Sequence, residues 1–513
     1  MRNRSDWSCQ ARRHYRWLLL LPALVALDSP HPALAWESNV EQDGRRWIGT
    51  WATAAQPFLP RSRQSFRNQT VRLIVHTTAG GTRVRVRIAN TYGERPLHIG
   101  GAHIASRTEG AYVDSTSVRP LTFRGRSTTT VPARSMVTSD PVALDVPALS
   151  DLAVSLFFPG TTAATTSHAL ALQTSYVSTD TGNFTAGARF PAADSITSWP
   201  FLTGVDIEAS DNGVAIVAFG SSTTDGDGST PGANRRWPDV LAERLQRSAV
   251  RKGEVGVLNQ GIIGNRLLND SPRETRDRFG AALGQSGLTR FDRDVLAQAG
   301  VRYVILCLGI NDISFPGVFT PATEQVRAQD IIAGYRRLIA RAHGEGVRVI
   351  GTTIPPFESS RSYTPEKETV RQAVNTWIRA STEFDALVDF DAAVRDPSHP
   401  TRLLPAFDSG DHVHANDAGH VATANAIAPH AVRAVTPRSL AGAIAVGTDV
   451  DGCGQFFCHG TRDVILDPQD VIERPVVRLR PGHVPIVGTH EPRGHSHSRA
   501  GLSHTPIEDV RDA

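Results

Sequence analysis

The feature that most limits the fold is a repeated alternation in the C-terminal half of the chain. After Asp206, continuous apolar runs alternate with amphipathic stretches of helical period. The runs read VAIVAFG from residue 214, EVGVLNQG from residue 254, VRYVILCLG from residue 301, VRVIGTTIPP from residue 347 and ALVDFDAA from residue 386. Such a run is typical of a strand buried on both faces, and a helix between two runs connects parallel strands. Residues 206–434 are therefore predicted to form an α/β domain, a doubly wound parallel sheet with helices on both faces.

The residues before this domain show the shorter period of β-strands. Val84, Val86 and Ile88 alternate with arginines in TRVRVRIAN. This segment follows TVRLIVHTT after a glycine pair, an arrangement that predicts a β-hairpin with one face in a core and the other in water. Because similar short segments recur without a long helical period, residues 46–205 are predicted to form an antiparallel β-sandwich domain.

The N-terminus has the three parts of a secretory signal peptide. Basic residues precede an apolar stretch from Trp17 to Leu27, and small residues follow at Ala33 and Ala35. We expect residues 1–35 to be removed by cleavage after Ala35, because the apolar stretch is shorter than the about 20 residues that span a bilayer. The mature protein would then be secreted or periplasmic, without stable membrane insertion. An uncleaved anchor is the alternative.

Residues 435–513 lose the periodic patterns of the preceding chain. They are rich in proline, glycine, arginine and histidine, and they offer little apolar surface to offset the entropy of ordering them. We predict a disordered tail, in which Cys453 and Cys458 could form a local disulfide in an oxidising compartment.

The charge of the chain argues against a nucleic-acid partner. The sequence carries 54 basic and 51 acidic residues, for a formal net charge of +3. So small an excess provides no strong field to draw the protein onto nucleic acid or an anionic membrane. We therefore expect neither as a partner.

Residues of catalytic type stand just after the predicted strands. In open parallel sheets, ligands bind outside the carboxyl ends of the strands. The segments at these ends are FGSSTTDG, NQGIIGN and LGIND, and DSGDHVHANDAGH comes late in the chain, before the last amphipathic stretch. Each segment alone has a structural interpretation, since serine commonly caps a helix and asparagine commonly closes a turn. Their joint occurrence favours a catalytic site.

These four segments resemble blocks I, II, III and V of the SGNH, or GDSL-like, hydrolases, in the same order and over residues 206–433. The β domain also resembles one that precedes the hydrolase domain in some secreted bacterial members. The resemblance implies that Ser222 is the nucleophile and that Asp411 and His414 complete a catalytic triad. It also implies an oxyanion hole formed by Ser222, Gly261 and Asn311.

One position departs from the family pattern. Block I usually has aspartate immediately before the nucleophile, and Ser221 occupies that position here. We predict that Ser222 attacks, because it aligns with the nucleophile and keeps the Thr-Asp-Gly sequence that follows. Among the nearby polar residues, we expect Asp312 to be structural, His412 to be a loop residue and His420 to lie on a helix face.

General chemistry explains why these residue types are needed. Serine becomes nucleophilic when a base takes its proton, and a histidine with a pKa of about 6.5 can accept and return that proton. An aspartate three residues before the histidine can fix its tautomer. Fixed donors then stabilise the developing oxyanion. Because all these groups belong to the chain, no metal or organic cofactor is implied.

The sequence therefore predicts a secreted serine esterase that hydrolyses carboxylic esters through an acyl-enzyme. Short-chain acyl or acetyl esters of small molecules or glycans are the expected substrates. A lipase or lysophospholipase of the same family is one alternative, and a non-catalytic carbohydrate-binding envelope protein is another. An α/β-hydrolase is disfavoured, because the chain lacks the G-x-S-x-G nucleophile elbow of that class.

Overall fold

The computed structural model describes residues 46–58, 64–248, 254–271 and 280–428. The predicted signal peptide, the predicted tail and the pair Cys453 and Cys458 lie outside these residues. Within the described ranges, every helix is too short or too polar to cross a membrane.

The first part of the described chain consists mainly of short strands. In chain order they are β1 (Arg46–Ala52), β2 (Gln56–Pro57), β3 (Ser65–His76), β4 (Gly81–Ala89), β5 (Leu97–Ile99), β6 (Gly101–Ser106), β7 (Arg119–Pro120), β8 (Thr129–Val131), β9 (Met136–Thr138), β10 (Val142–Val146), β11 (Asp151–Ala163), β12 (Thr166–Ser167), β13 (Ser175–Ser178), β14 (Ala192–Ile196) and β15 (Leu202–Ala209). One short 3₁₀ turn, Ser115–Ser117, lies among them.

Strands and helices alternate in the rest of the described chain. The elements are β16 (Val214–Gly220), α1 (Ser222–Asp225), α2 (Trp237–Arg247), β17 (Val255–Gly261), α3 (Gly287–Phe291), β18 (Val301–Cys307), α4 (Ile310–Ser314), α5 (Ala328–Gly344), β19 (Arg348–Thr352), α6 (Pro365–Ala380), β20 (Ala386–Val388), α7 (Phe390–Val394) and α8 (Asp417–Ala426). Short 3₁₀ turns at Gly280–Leu283, Ala322–Glu324 and Pro405–Phe407 and a π-turn at Asp292–Leu296 complete the series.

The N-terminal strands form two larger antiparallel sheets. One has the order β1-β15-β4-β10, with β9 also paired to β4, and the other has the order β14-β13-β3-β11-β6-β7. A single hydrophobic core takes side chains from both sheets, among them Val84 and Val86 of β4 and Leu73 and Val75 of β3. The prediction of antiparallel sheets in this region is confirmed. The last strand, β15, continues to Ala209, a few residues past the predicted boundary at 205.

The predicted hairpin between β3 and β4 is wrong, because the two strands belong to different sheets. The chain passes from one sheet to the other between these strands, and apolar residues of both strands contribute to the same core. The alternating pattern is the same for a hairpin and for this crossing, since both present every second residue to the core. The face of β4 predicted to be in water is also partly covered. Arg87 is 6% exposed and donates to Gln298 Oε1 at 2.7 Å.

The C-terminal sheet is parallel throughout, with the strand order β17-β16-β18-β19-β20. Strand β16 lies between β17 and β18, and its successive side chains enter two different cores. Val217 and Phe219 pack with α5 and α6 on one face, and Ile216 and Ala218 pack with α2 and α8 on the other. The predicted parallel α/β fold is confirmed. The order of the strands reverses at β16, the place where such sheets bind ligands at their carboxyl edge.

The antiparallel region packs directly against the strands that lead to this edge. The backbone N–H of Gly49 in β1 donates to the carbonyl of Ala299 at 2.9 Å. A Cβ on Gly256 in β17 would lie 1.9 Å from the carbonyl oxygen of Gly49, so only glycine allows this approach. The two regions are therefore joined by close backbone contact rather than by a loose linker.

Candidate active site

The serine predicted as nucleophile lies in a tight turn at the end of β16. β16 ends at Gly220, and α1 begins at Ser222. A Cβ on Gly220 would lie 2.0 Å from Thr224 Oγ1, so a larger residue would open this turn. Ser222 is the first residue of α1, where a backbone N–H has no partner within the helix. This N–H has no acceptor among the described residues and is available to a ligand.

The histidine predicted as base lies in a loop folded by its aspartate partner. Asp411 Oδ1 accepts the backbone N–H groups of Val413 and His414 at 2.9 and 2.8 Å. Its Oδ2 lies 2.5 Å from His414 Nδ1. The Asn416 side chain, which accepts from the Gly419 N–H, caps α8 and ends the loop. The Asp-x-x-His spacing therefore serves both the turn and the side-chain contact.

The structure brings the three predicted triad residues into one hydrogen-bonded chain. His414 Nε2 lies 2.8 Å from Ser222 Oγ. Because Asp411 is a carboxylate acceptor, His414 Nδ1 carries the proton of that contact, and Nε2 is left to accept the serine proton. The neighbouring Ser221 does not share this position. Its Oγ is buried without a hydrogen-bond partner among the described residues.

Several carboxylates set the proton affinity of the site. Burial disfavours protonated His414, but its hydrogen bond to Asp411 and the negative charges of Asp227, Asp411 and Asp408 outweigh this effect and raise its pKa above the usual value. Burial also opposes ionisation of Asp411, yet its bonds to His414 and the loop backbone hold its pKa well below the usual range. The charged form of the Asp411 and His414 pair is therefore favoured.

Asp227 is a member of the site that the sequence did not single out. Its Oδ2 lies 3.6 Å from His414 Nδ1. Burial raises the pKa of Asp227, His414 opposes the rise, and the charges of Asp225 and Asp411 add to it. A second carboxylate in the serine turn was visible in the sequence, but its approach to His414 depends on how the distant histidine loop folds.

The predicted oxyanion residues are placed differently from one another. Asn311 is 6% exposed. Its Nδ2 donates one hydrogen to the carbonyl of Asn265 at 3.0 Å, so the second amide hydrogen can be donated to a ligand. The N–H of Gly261 already donates to Asn259 Oδ1 at 2.9 Å. A Cβ on Gly261 would lie 2.2 Å from the Asp225 nitrogen, so this glycine is required where two turns touch.

Gly264 is a second candidate donor in the same turn as Gly261. It has a φ of +70°, which favours glycine. Its N–H has no acceptor among the described residues, and it precedes Asn265, the residue that Asn311 contacts. The NQGIIGN segment contains both glycines, and the sequence alone could not decide which of them keeps an unpaired N–H.

The other polar residues near the site have structural contacts. Asp312 accepts the Leu267 and Leu268 N–H groups at 2.7 and 2.9 Å, and burial raises its pKa to about 6 against these bonds. His412 lies in the loop, 2.6 Å from Asp408. His420 is buried on α8, and burial lowers its pKa to about 4. These positions agree with the roles expected from the sequence.

In the described part of the chain, no group of three or more histidine, cysteine, aspartate or glutamate side chains is arranged to hold a metal ion. The contacts described above bring together a hydroxyl, an imidazole, carboxylates and N–H donors.

Comparison with known proteins gives a family for the second region. Residues 218–422 match the model of the GDSL-like Lipase/Acylhydrolase family. No curated protein matches the chain. Similar solved structures include an acetyl xylan esterase from Geobacillus stearothermophilus, with 23% identity, 42% of this chain and 92% of that chain covered, and a TM-score of 0.31.

Two further solved structures have the same extent of match. They are the aryl esterase of M. smegmatis, at 18% identity, with 42% of this chain and 95% of that chain covered and a TM-score of 0.31, and the carbohydrate acetylesterase Est24 of Sinorhizobium meliloti, at 17% identity, with the same coverages and TM-score. The family match spans the segments that carry Ser222, Asn311 and His414. Residues 218–422 therefore form a GDSL-like lipase/acylhydrolase domain, the domain of a serine ester hydrolase.

Proposed function

We propose that this enzyme is an exported carboxylesterase that hydrolyses short-chain acyl or acetyl esters of small molecules or glycans through an acyl-enzyme. One observation carries the proposal: Ser222 Oγ, His414 Nε2, His414 Nδ1 and Asp411 Oδ2 form a continuous chain with contacts of 2.8 and 2.5 Å. Such a chain is the arrangement that serine acyl transfer requires. The site needs no further group to begin the reaction.

In the first half of the proposed reaction, Ser222 Oγ attacks the ester carbonyl carbon and its proton passes to His414 Nε2. Asp411 stabilises the imidazolium that results. The carbonyl oxygen becomes an oxyanion, which accepts hydrogen bonds from the Ser222 N–H, the free Asn311 amide hydrogen and a glycine N–H. For that glycine we favour Gly264 over Gly261, since the N–H of Gly261 donates to Asn259 Oδ1.

Collapse of this intermediate breaks the bond to the alcohol. His414 gives its proton to the leaving oxygen, so a neutral alcohol departs and the acyl group remains on Ser222. Water then attacks the acyl-enzyme and loses a proton to His414. The bond between the acyl carbon and Ser222 Oγ breaks, His414 returns the proton to Oγ, and the carboxylic acid is released. The same base serves both halves, because each half transfers one proton to it and one from it.

The charges around the site favour a neutral substrate. Asp227, Asp408 and Asp411 all act on His414, and together they create a negative potential at the place where an ester must bind. Such a potential disfavours the phosphate of a phospholipid and has little effect on a neutral acetyl ester. This observation supports an esterase over a lysophospholipase.

The proposal is tested by hydrolysis of p-nitrophenyl esters of graded acyl length, acetylated polysaccharides and a lysophospholipid, with the Ser222→Ala variant as control. We expect the highest kcat/KM on acetyl to butyl esters, and no Ser222-dependent release from the lysophospholipid. A preference for long acyl chains would show a lipase, and hydrolysis that persists in the variant would show that the activity is a contaminant.

Two structural parts of the proposal concern the regions outside the catalytic domain. We infer that the two antiparallel sheets pack as a sandwich, because one core joins them. We also propose that the chain is exported and cleaved after Ala35, on the strength of the basic, apolar and small residues of its N-terminus. N-terminal sequencing of the protein recovered outside the cytoplasm tests the cleavage position.

Loss of the Asn311 amide should slow catalysis more than it weakens binding. The amide meets an oxyanion only as charge develops, so Asn311→Ala should lower kcat about 100- to 1,000-fold, or roughly 3 to 4 kcal/mol, with little change in KM. Asn311→Asp should be at least as damaging, because it replaces a donor with a negative charge. If Asn311 only anchors the carbonyl of Asn265, the variants would lose thermal stability while kcat per folded molecule persists.

The pH profile should respond to Asp227. His414 must be neutral to act as a base, and carboxylates raise its pKa, so kcat/KM should rise with pH through an ionisation above the usual histidine value. Asp227→Asn removes one of these negative charges, lowers the pKa of His414 and moves the acid limb to lower pH. Asp145 is an exposed residue of β10. Asp145→Asn makes the same change of charge there and should leave the acid limb of the pH profile in place. An acid limb that stays in place in Asp227→Asn would show that Asp227 does not act on the base.

A further inference from the structure

A buried histidine of the N-terminal region reaches the catalytic turn. His168 follows β12, and its Nε2 lies 2.9 Å from Asp225 Oδ1, with the two side chains 2% and 1% exposed. Its Nδ1 lies 3.0 Å from the carbonyl oxygen of Ala54, and its ring stacks on Trp199 with centroids 5.8 Å apart. A polar pair this deeply buried is costly unless its bonds are all made.

The partners of His168 determine where the protons lie. The Ala54 carbonyl can only accept, so Nδ1 carries a hydrogen. On the other side, Asp225 Oδ2 accepts the backbone N–H of Ile263 at 2.8 Å. One proton therefore remains between Nε2 and Asp225 Oδ1, and this contact is a charge-assisted hydrogen bond within a pair that is neutral overall.

Asp225 links the two turns on which the chemistry depends. It is the last residue of α1, and its N–H donates to the carbonyl of Ser221 at 2.8 Å. Its carboxylate accepts the backbone N–H of Ile263, one of the two residues between the candidate oxyanion glycines. Its backbone also lies against Gly261, where an added Cβ would come within 2.2 Å. The position of Asp225 thus fixes the nucleophile turn relative to the donor turn.

We propose that His168 is a positioning residue for the esterase reaction, acting through Asp225 to hold the Ser222 turn in register with the oxyanion donors. The proposal deepens the function proposed above and rests on it. It makes the N-terminal β region a working part of the active centre rather than a separate binding module. His168 is too deeply buried to meet substrate, so its effect must pass through the carboxylate.

A positioning role predicts a particular kinetic signature. Misplacement of reacting groups by about 1 Å can cost about 100-fold in rate. Loss of the contact to Asp225 should therefore lower kcat by about 10- to 100-fold, while KM changes by less than about threefold, because the ester is still bound by the same surface.

Two variants of one residue separate this role from general stability. In His168→Gln the amide nitrogen replaces Nε2 and keeps the donor to Asp225, whereas in His168→Asn it replaces Nδ1 and keeps only the contact to Ala54. Both variants remove the ring and its stacking on Trp199. We expect similar losses in melting temperature, with kcat largely retained in His168→Gln and reduced in His168→Asn.

The comparison is made per active site, by titrating Ser222 with a fluorophosphonate on the full chain below each melting temperature. Equal kcat in the two variants, or a KM effect without a kcat effect, would overturn the positioning role. If His168→Asn does not fold, Asp225→Ala breaks the same contact from the other side, and a wild-type kcat in that variant would also overturn it. A wild-type enzyme without ester hydrolysis or fluorophosphonate labelling would instead reject the proposed function itself.

Discussion

Replacing Ser222 by alanine should lower kcat about a million-fold, whereas replacing Ser221 by alanine should leave kcat within about threefold of the wild type. The two serines are adjacent, but only Ser222 contacts the histidine, at 2.8 Å from Nε2. Without its Oγ, no acyl-enzyme can form, and the donors alone can only assist attack by water. The residual rate of the Ser222→Ala variant then measures the contribution of the oxyanion donors.

The Ser221→Ala variant is the matched control, because it removes the same atom type one residue away. The Ser221 Oγ is buried without a partner among the described residues, and an unsatisfied buried hydroxyl costs roughly 1 to 3 kcal/mol. Its removal should leave the free energy of unfolding unchanged or raise it. Labelling by a fluorophosphonate, followed by mass spectrometry of the peptide, identifies the attacked serine. A labelled Ser222→Ala protein would reassign the nucleophile to Ser221.

The close approach of the three predicted triad residues could be anticipated from the topology of a parallel sheet. Ser222 follows β16, an inner strand of the parallel sheet, and His414 lies in the loop just before α8, which packs on that sheet. The carboxyl ends of parallel strands share one edge, so residues far apart in sequence meet there. The contact between Asp411 and His414 could be predicted from local sequence. A spacing of three residues lets the carboxylate accept hydrogen bonds from both the turn backbone and the imidazole.

The contacts of Asp227 and His168 could not be predicted in the same way. Asp227 comes near His414 only because a loop nearly two hundred residues later folds over the serine turn. His168 stands in a polar segment between strands, and no periodicity in that segment points to Asp225. Both contacts depend on the packing of separate elements, which local sequence patterns do not encode.

The crossing between β3 and β4 shows a related limit of periodicity. The alternation of apolar and polar residues indicates which side chains of a strand face a core, but it does not indicate which sheet contains the strand. The glycine pair at the start of β4 is consistent with a tight hairpin, yet a Cβ on Gly80 would lie 2.8 Å from the carbonyl oxygen of Val146. Here glycine allows close approach to another segment, a purpose that the sequence does not distinguish from a turn.

Replacement of the base should be nearly as damaging as replacement of the nucleophile. His414→Ala should lower kcat about a million-fold. A serine hydroxyl is a weak nucleophile when no base takes its proton, so the two residues act as a unit. The double variant with Ser222→Ala should therefore lose little more than either single variant. Measurement of kcat for all three checks this expectation, and additive losses would show that the two residues act separately.

His412 provides the control for this loop. It lies two residues before His414, and its side chain is 48% exposed and bonded to Asp408 rather than to serine. His412→Ala should keep most of the activity, because the hydrogen-bonded chain from Ser222 to Asp411 does not include it.

Added imidazole offers a sharper test, since a small base can enter the space left by His414→Ala beside the solvent-accessible Asp411. Imidazole should restore part of the rate in His414→Ala and none in Ser222→Ala, because only the former keeps a hydroxyl for the base to activate. Rescue of a crippled His412→Ala variant, with an unaffected His414→Ala, would instead assign the base to His412.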